Sequence, residues 1–191
     1  MIEESLQLVE PKAVFSYFEV EEVEGEHVIL ENGEVLIGTI LADMLECGQK
    51  TAPYVITIGA RLETRVSQLT KSNIVQAFLL DRIGSHALRM TKRKVELLVA
   101  KELGDKISDF SPGEGTGVLF GIKQQTVLFR MLQPKKNIGV SLTSGYLMIP
   151  QKSVSGLFAP TDQEYVACSY CPKECEDRKS TFKGQYYSQM R

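Results

Sequence analysis

Histidine is scarce in this chain of 191 residues, which has two, His27 and His86, and neither stands beside a serine or cysteine motif. A hydrolytic triad needs an imidazole set against a nucleophile, so that chemistry is excluded. Cysteine is sparse too, with four residues of which Cys168, Cys171 and Cys175 crowd one end. That is a poor disulfide framework for a domain of this size and fits free thiols or a metal in a reducing compartment. A net charge of only -2 gives no field to gather phosphate backbone or anionic lipid, which argues against nucleic acid as a partner. No apolar run approaches the roughly 20 residues of a membrane span. The opening Met1-Ile2-Glu3-Glu4-Ser5 is acidic where a secretory signal is basic. A cytoplasmic protein without a membrane partner is expected.

With 43% hydrophobic and 24% charged residues the chain reads as an ordinary globular protein. We expect one domain over residues 1–178 and a polar tail over 179–191. Residues 5–20 carry apolar positions on both sides of Pro11, which separates an extended opening from a short helix or second strand. Asn32-Gly33 between Val28-Ile29-Leu30 and Val35-Leu36-Ile37 predicts a tight hairpin with positive φ at both central residues. A helix follows over 38–47. Tyr54 to Ile58, bounded by Pro53 and Gly59, suits a strand buried on both faces near the centre of a sheet.

Arg61 to Leu69 is amphipathic. A longer helix then opens at Ser72 or Asn73, where a side-chain oxygen can cap free amides and Gln76 can answer it, and runs to Leu103 with Gly104-Asp105 as its stop. Its buried stripe is expected at Ile74, Ala77, Phe78, Leu80 or Asp81, Gly84, Ala87, Leu88 and Val95. Arg82, Arg89, Lys92, Arg93 and Lys94 then form a solvated face. Gly84-Ser85 costs about 1 kcal/mol of helix propensity, so close packing should compensate. Beyond Ser108 come a glycine-rich loop, a helix over 123–132, and strands over 138–143, 146–149, 153–158 and 164–167. The order argues for an α+β fold with a mainly antiparallel twisted sheet and flanking helices.

Three segments carry candidate chemistry. In Ser111-Pro112-Gly113-Glu114-Gly115 the glycines bring backbone groups within reach of a ligand while Pro112 limits the conformations to be frozen. Read by itself, the loop is equally a structural turn, and it lacks the lysine of a phosphate loop. In Met148-x-Pro150-x-x-Ser153-Val154-Ser155-Gly156, strand alternation sends Ser153 and Ser155 to one side and Val154 into the core. Tyr165-Val166 offers a ring for stacking on a ligand, or simply a core or edge aromatic.

In this order and spacing the segments resemble the activation domain of cobalamin-dependent methionine synthase, here as a free-standing chain. Leu142-Thr143 ahead of the Met-x-Pro-x-x-Ser-Val-Ser-Gly run strengthens the likeness, as does Leu80-Asp81-x-x-Gly84-Ser85. The resemblance implies binding of S-adenosylmethionine by Ser111, Pro112, Gly113, Glu114, Ser153, Ser155, Tyr165 and Val166. It also implies a role in presenting the methyl group to inactive cobalamin on a separate methionine synthase catalytic chain or other corrinoid protein, with a flavodoxin-type reductant supplying the electron. Such a chain is a component of a methyltransferase system and not an independent catalyst. Three positions depart from the family pattern: its arginine falls on Asp109, its tyrosine on Glu114 and a glutamate on Ser144. A carboxylate anchor must then come from another cation, or the ligand ammonium must face Asp109.

Cys168-x2-Cys171-x3-Cys175 is not explained by the resemblance. Three thiolates on a tight turn can converge on zinc or an iron–sulfur cluster, one ligand short of closure. Redox-active thiols and plain surface cysteines are the alternatives. An interaction protein that binds metal and has lost the S-adenosylmethionine site is therefore the rival reading.

Overall fold

The computed structural model describes residues 2–113, 119–162, 165–171, 174–176, 178 and 180–182. Two central strands organise it, β5 (Lys50–Thr57) and β9 (Ser153–Pro160), paired antiparallel from Ala52↔Phe158 to Thr57↔Ser153. Around them run β4 (Val35–Ile37), β3 (His27–Leu30) and β2 (Phe18–Glu24) on one side and β6 (Ile107–Phe110) on the other. The order is β4-β3-β2-β5-β9-β6, with β1 (Lys12–Phe15) also on β5, and all these pairings are antiparallel. The expected α+β fold, an antiparallel sheet flanked by helices, is the one observed.

β5 shows why the sequence chose a central strand there. From Thr51 onward every residue is buried, as its apolar and β-branched content requires. Pro53, expected to precede the strand, lies inside it. Its carbonyl accepts from Ser16 N at 3.4 Å, so the N–H that proline lacks would point to the same edge, in the gap between β2 (paired at Lys50 and Thr51) and β1 (paired from Tyr54). No ladder bond is lost.

Helices cover both faces. Against one lie α3 (Arg61–Thr70) and α4 (Ile74–Leu103), where Val95 and Val99 pack with Tyr54, Ile56 and Phe158. Against the other lie α2 (Thr39–Met44) and α5 (Gln125–Leu132), where Leu128 joins Phe110, Leu157 and Ala159, and Leu132 packs with Val55. A short α1 (Ile2–Leu8) opens the chain, where an extended piece was expected. α6 (Pro134–Ile138) and a two-stranded ribbon of β7 (Ser141–Leu142) and β8 (Met148–Ile149) link α5 to β9.

α4 begins and ends as its sequence dictates: Asn73 Oδ1 accepts from Gln76 N at 3.1 Å, and Gly104 terminates it at φ 101°. Ala77, Leu80, Gly84 and Val95 are buried as expected, and Gly84 packs on Leu62. Ile74 and Phe78 are not, at 64% and 62% exposed, because α4 turns Ala77 and Leu80 toward Leu62 and Leu69 of α3 and leaves these two off the contact. Other corrections are local. The Asn-Gly hairpin is closed by Gly33 N to Leu30 O (2.8 Å), with positive φ on Gly33 and not on Asn32. Pro134 starts a helix as its first residue, which turns the expected strand over 138–143 into the end of α6 plus β7. Tyr165 and Val166 lie in irregular chain and Ala167 opens a 3-10 turn, so the described part of 164–167 forms no strand, while Glu164 lies outside the described residues.

Candidate functional site

The proline-glycine bend leaves the sheet at the end of β6, beside the motif of β9. Phe110 pairs with Leu157, so Ser111 follows alongside Gly156. Gly113 sits at φ 90° and hydrogen-bonds Phe120 O at 2.8 Å. A side chain there would meet Ile122 at 2.7 Å as well as the strain of a positive φ. Glu114 lies outside the described residues. Gly156 is required for another reason: a Cβ on it would stand 2.6 Å from the Tyr54 hydroxyl and 2.8 Å from the Phe110 carbonyl. The glycine lets the Tyr54 phenol cross the strand.

That phenol serves a polar cluster which the sequence alone did not assemble. Tyr54 stacks on Phe158 (4.3 Å between centroids) and donates to Asp109 Oδ1 at 2.6 Å. The other Asp109 oxygen takes Lys92 Nζ, reaching down from α4, and both charged side chains are 25% exposed. Lys92 is therefore not part of the solvated face on which it was placed. It is the nearby cation at the position where the resemblance implies an arginine. Its signal was the spacing Leu88, Lys92, Val95, Val99, which follows the buried stripe of the helix.

A second clamp holds the turn before β9. Lys152 Nζ bonds Asp81 Oδ1 at 2.7 Å and Ser85 Oγ at 2.9 Å. Gln151 N donates to Glu63 Oε2 at 2.8 Å, and the Lys152 carbonyl accepts from Ile58 N. Ser153 Oγ lies 2.9 Å from Thr57 Oγ1 and 2.6 Å from Pro150 O. Ser153 and Ser155 do share a side, but it is the interior facing α5, at 8% and 3% exposed, while Val154 is the half-buried residue. The expectation that valine takes the core and the serines the open side is reversed, because α4 and α5 make both faces of β9 interior.

Two hydroxyls here lack a partner among the described residues. Ser155 Oγ and Ser111 Oγ are buried and unbonded, as is Gln125 Oε1 at the start of α5. A buried hydroxyl left unpaired costs about 1–3 kcal/mol, so these groups favour any ligand that reaches them. Tyr165 lies in an aromatic stack, 4.7 Å from Phe110 and 5.6 Å from Tyr170. A ligand that stacks on it must share the ring. Val166 is half-buried and starts the turn that leads to Cys168.

Arg178 fixes that turn, donating to the carbonyls of Cys168 (2.7 Å) and Cys171 (2.8 Å). Cys168 and Cys171 are half-buried and Cys175 is exposed. Cys47 is far along the chain and bonds the Glu21 carbonyl. Among the described residues no three His, Cys, Asp or Glu side chains converge as a metal-binding group. Nor is any helix among them long and apolar enough to cross a membrane.

Residues 111–179, just over a third of the chain, match the family described as "Vitamin B12 dependent methionine synthase, activation domain". A crystal structure of the MetH reactivation domain bound to AdoHcy matches with a TM-score of 0.59 at 14% identity, over 85% of this chain and 62% of that one. The chain thus spans less than two thirds of that structure. No curated protein matches it in sequence. The resemblance read from the motifs is upheld on both counts: residues 111–179 match the activation-domain family, and the fold of the chain is similar to that of the reactivation domain.

Proposed function

We propose that this chain binds S-adenosylmethionine beside the Ser111-Pro112-Gly113 bend and presents it to a cobalamin held by a separate methionine synthase catalytic chain or other corrinoid protein. The observation that carries the reading is the Lys92–Asp109 pair at the foot of the bend. The ligand's amino acid end is a zwitterion. Lys92 has donors left for its carboxylate, and Asp109 has lone pairs left for its ammonium. Ser111 Oγ, two residues after Asp109 in the chain, adds a buried hydroxyl with no partner among the described residues. Asp109 then does not abolish the anchor that an arginine would make; it moves the cation to α4.

The bound molecule supplies an activated methyl group, and the protein supplies position. Nothing in the described cluster is arranged as a general acid or base, so the contribution is to hold the donor in one orientation while another chain docks. A flavodoxin-type protein is the fitting source of the electron for reductive methylation. The MetH domain solved with AdoHcy supports ligand binding on this fold.

Calorimetry with S-adenosylmethionine tests the proposal, with two-dimensional NMR to locate the contact. Binding in the micromolar to millimolar range is expected, with amide shifts over 109–113 and 153–156. Lys92→Met should weaken it at least tenfold, about 1.4 kcal/mol, with the circular dichroism unchanged. Saturating ligand that leaves those amides unmoved, with and without the corrinoid chain, overturns it.

The rival reading, zinc or an iron–sulfur cluster on Cys168, Cys171 and Cys175, draws support from one feature: Arg178 sets the backbone that carries two of the three thiols. Metal analysis and the visible spectrum of anaerobically purified protein separate the two. A stoichiometric metal whose loss follows Cys171→Ser supports it, and metal-free protein that still binds the methyl donor removes it.

A further inference from the structure

A cleft of about 680 Å³ opens at the far end of α5, away from the bend. Phe129, Pro134 and Leu142 give it apolar walls, Ser141 a hydroxyl, and Lys135 and Lys136 two exposed ammonium groups. No carboxylate is among the described residues that line it. The volume falls within the range of small-ligand sites, roughly 300–1,000 Å³.

The charge around the cleft is not cancelled locally. Neither Lys135 nor Lys136 has an ion-pair partner among the described residues, although the chain as a whole is slightly acidic. The carbonyl end of α5, which would repel an anion, is occupied: Asn137 Nδ2 donates to Leu132 O at 2.8 Å, and Gln133 N to Phe129 O at 3.0 Å. Gln133 holds the left-handed conformation, φ 47° and ψ 51°, that turns the chain from α5 straight into α6 and brings the two lysines to the rim. A cation would meet like charge here. A wholly polar anion would leave the apolar walls uncovered.

We infer that this cleft binds a small amphipathic anion, a carboxylate or phosphate on an apolar body, with the apolar part against Phe129 and Leu142 and the head group between Lys135 and Lys136. The site is separate from the proposed methyl-donor site and stands whether or not that donor binds.

The test uses octanoate, octyl phosphate and octylamine, each below its micelle concentration, with the full chain and NMR detection. One or both anions should bind saturably at one equivalent, shifting amides over 129–136 and 141–142. Which of the two binds more tightly identifies the head group. Lys135→Glu with Lys136→Glu should weaken binding at least tenfold without changing the circular dichroism, and Leu142→Ser should weaken it through the apolar wall. Octylamine binding as well as the anions, unchanged affinity in the double variant, or no saturable shift at these amides each overturns the inference.

Discussion

The two faces of the β5–β9 pair differ in how completely their polar groups are joined. On the α4 side polar side chains are joined: Tyr54 to Asp109, Asp109 to Lys92, and near the end of β9 Lys152 to Asp81 and Ser85. On the α5 side Ser155 Oγ and Gln125 Oε1 are buried with no partner among the described residues, although Ser153, two positions before Ser155, is well bonded. Charges that are only a quarter exposed must be paired, because an isolated one is far more costly than an unpaired hydroxyl. The difference separates groups that hold the fold from groups left over for something else.

Gly156 breaks the comparison most severely. Gly156→Ala drives a methyl group against the Tyr54 hydroxyl and the Phe110 carbonyl, and backbone cannot step aside. A loss of about 3 kcal/mol is expected in urea denaturation, at the upper end of overpacking costs. A neutral result would mean that β9 and β6 are not held as described.

The two serines sharpen the contrast because their signs differ. Ser153→Ala removes a hydroxyl with two partners and should cost about 1–2 kcal/mol in the same experiment. Ser155→Ala removes one with none, so the free protein should be unchanged or slightly more stable. Equal losses at both positions would show that Ser155 has a structural partner after all.

The smallest effect lies on the α5 side at the surface, where Arg130 Nε donates to Glu34 Oε1 at 2.6 Å and holds the Glu34 carboxyl below its ordinary pKa. A lowered folded-state value means stabilisation that is present above the unfolded pKa and is lost as pH falls through the folded one. Thermal melts from pH 6 down to pH 3 should therefore show a slightly flatter acid limb in Glu34→Gln. An unchanged limb would mean the pair is screened out by solvent.

Much of the fold was legible because its signals are local. Asn73 and Gly104 marked both ends of a 30-residue helix, and Asn32-Gly33 marked the hairpin. The buried strand at Tyr54 to Ile58 declared itself by composition. What escaped depends on contacts distant in sequence. Lys92 looked like one of five basic residues until Asp109, 17 positions on, arrived beside it. Ser153 and Ser155 looked like an open edge because nothing in their own segment reveals that helices cover both sides. Of the candidate site, the bend and the β9 motif were readable as neighbours in function, but their cationic anchor was on another element.

α4 touches the two motif-bearing segments at Asp81 and at Lys92, residues 11 apart and so about 16 Å along the helix axis. A single stiff rod thereby sets the interval between the turn at Lys152 and the bend after Asp109. Whatever docks on this domain meets those two segments as one prefabricated surface, with no adjustment between them needed at the moment of contact.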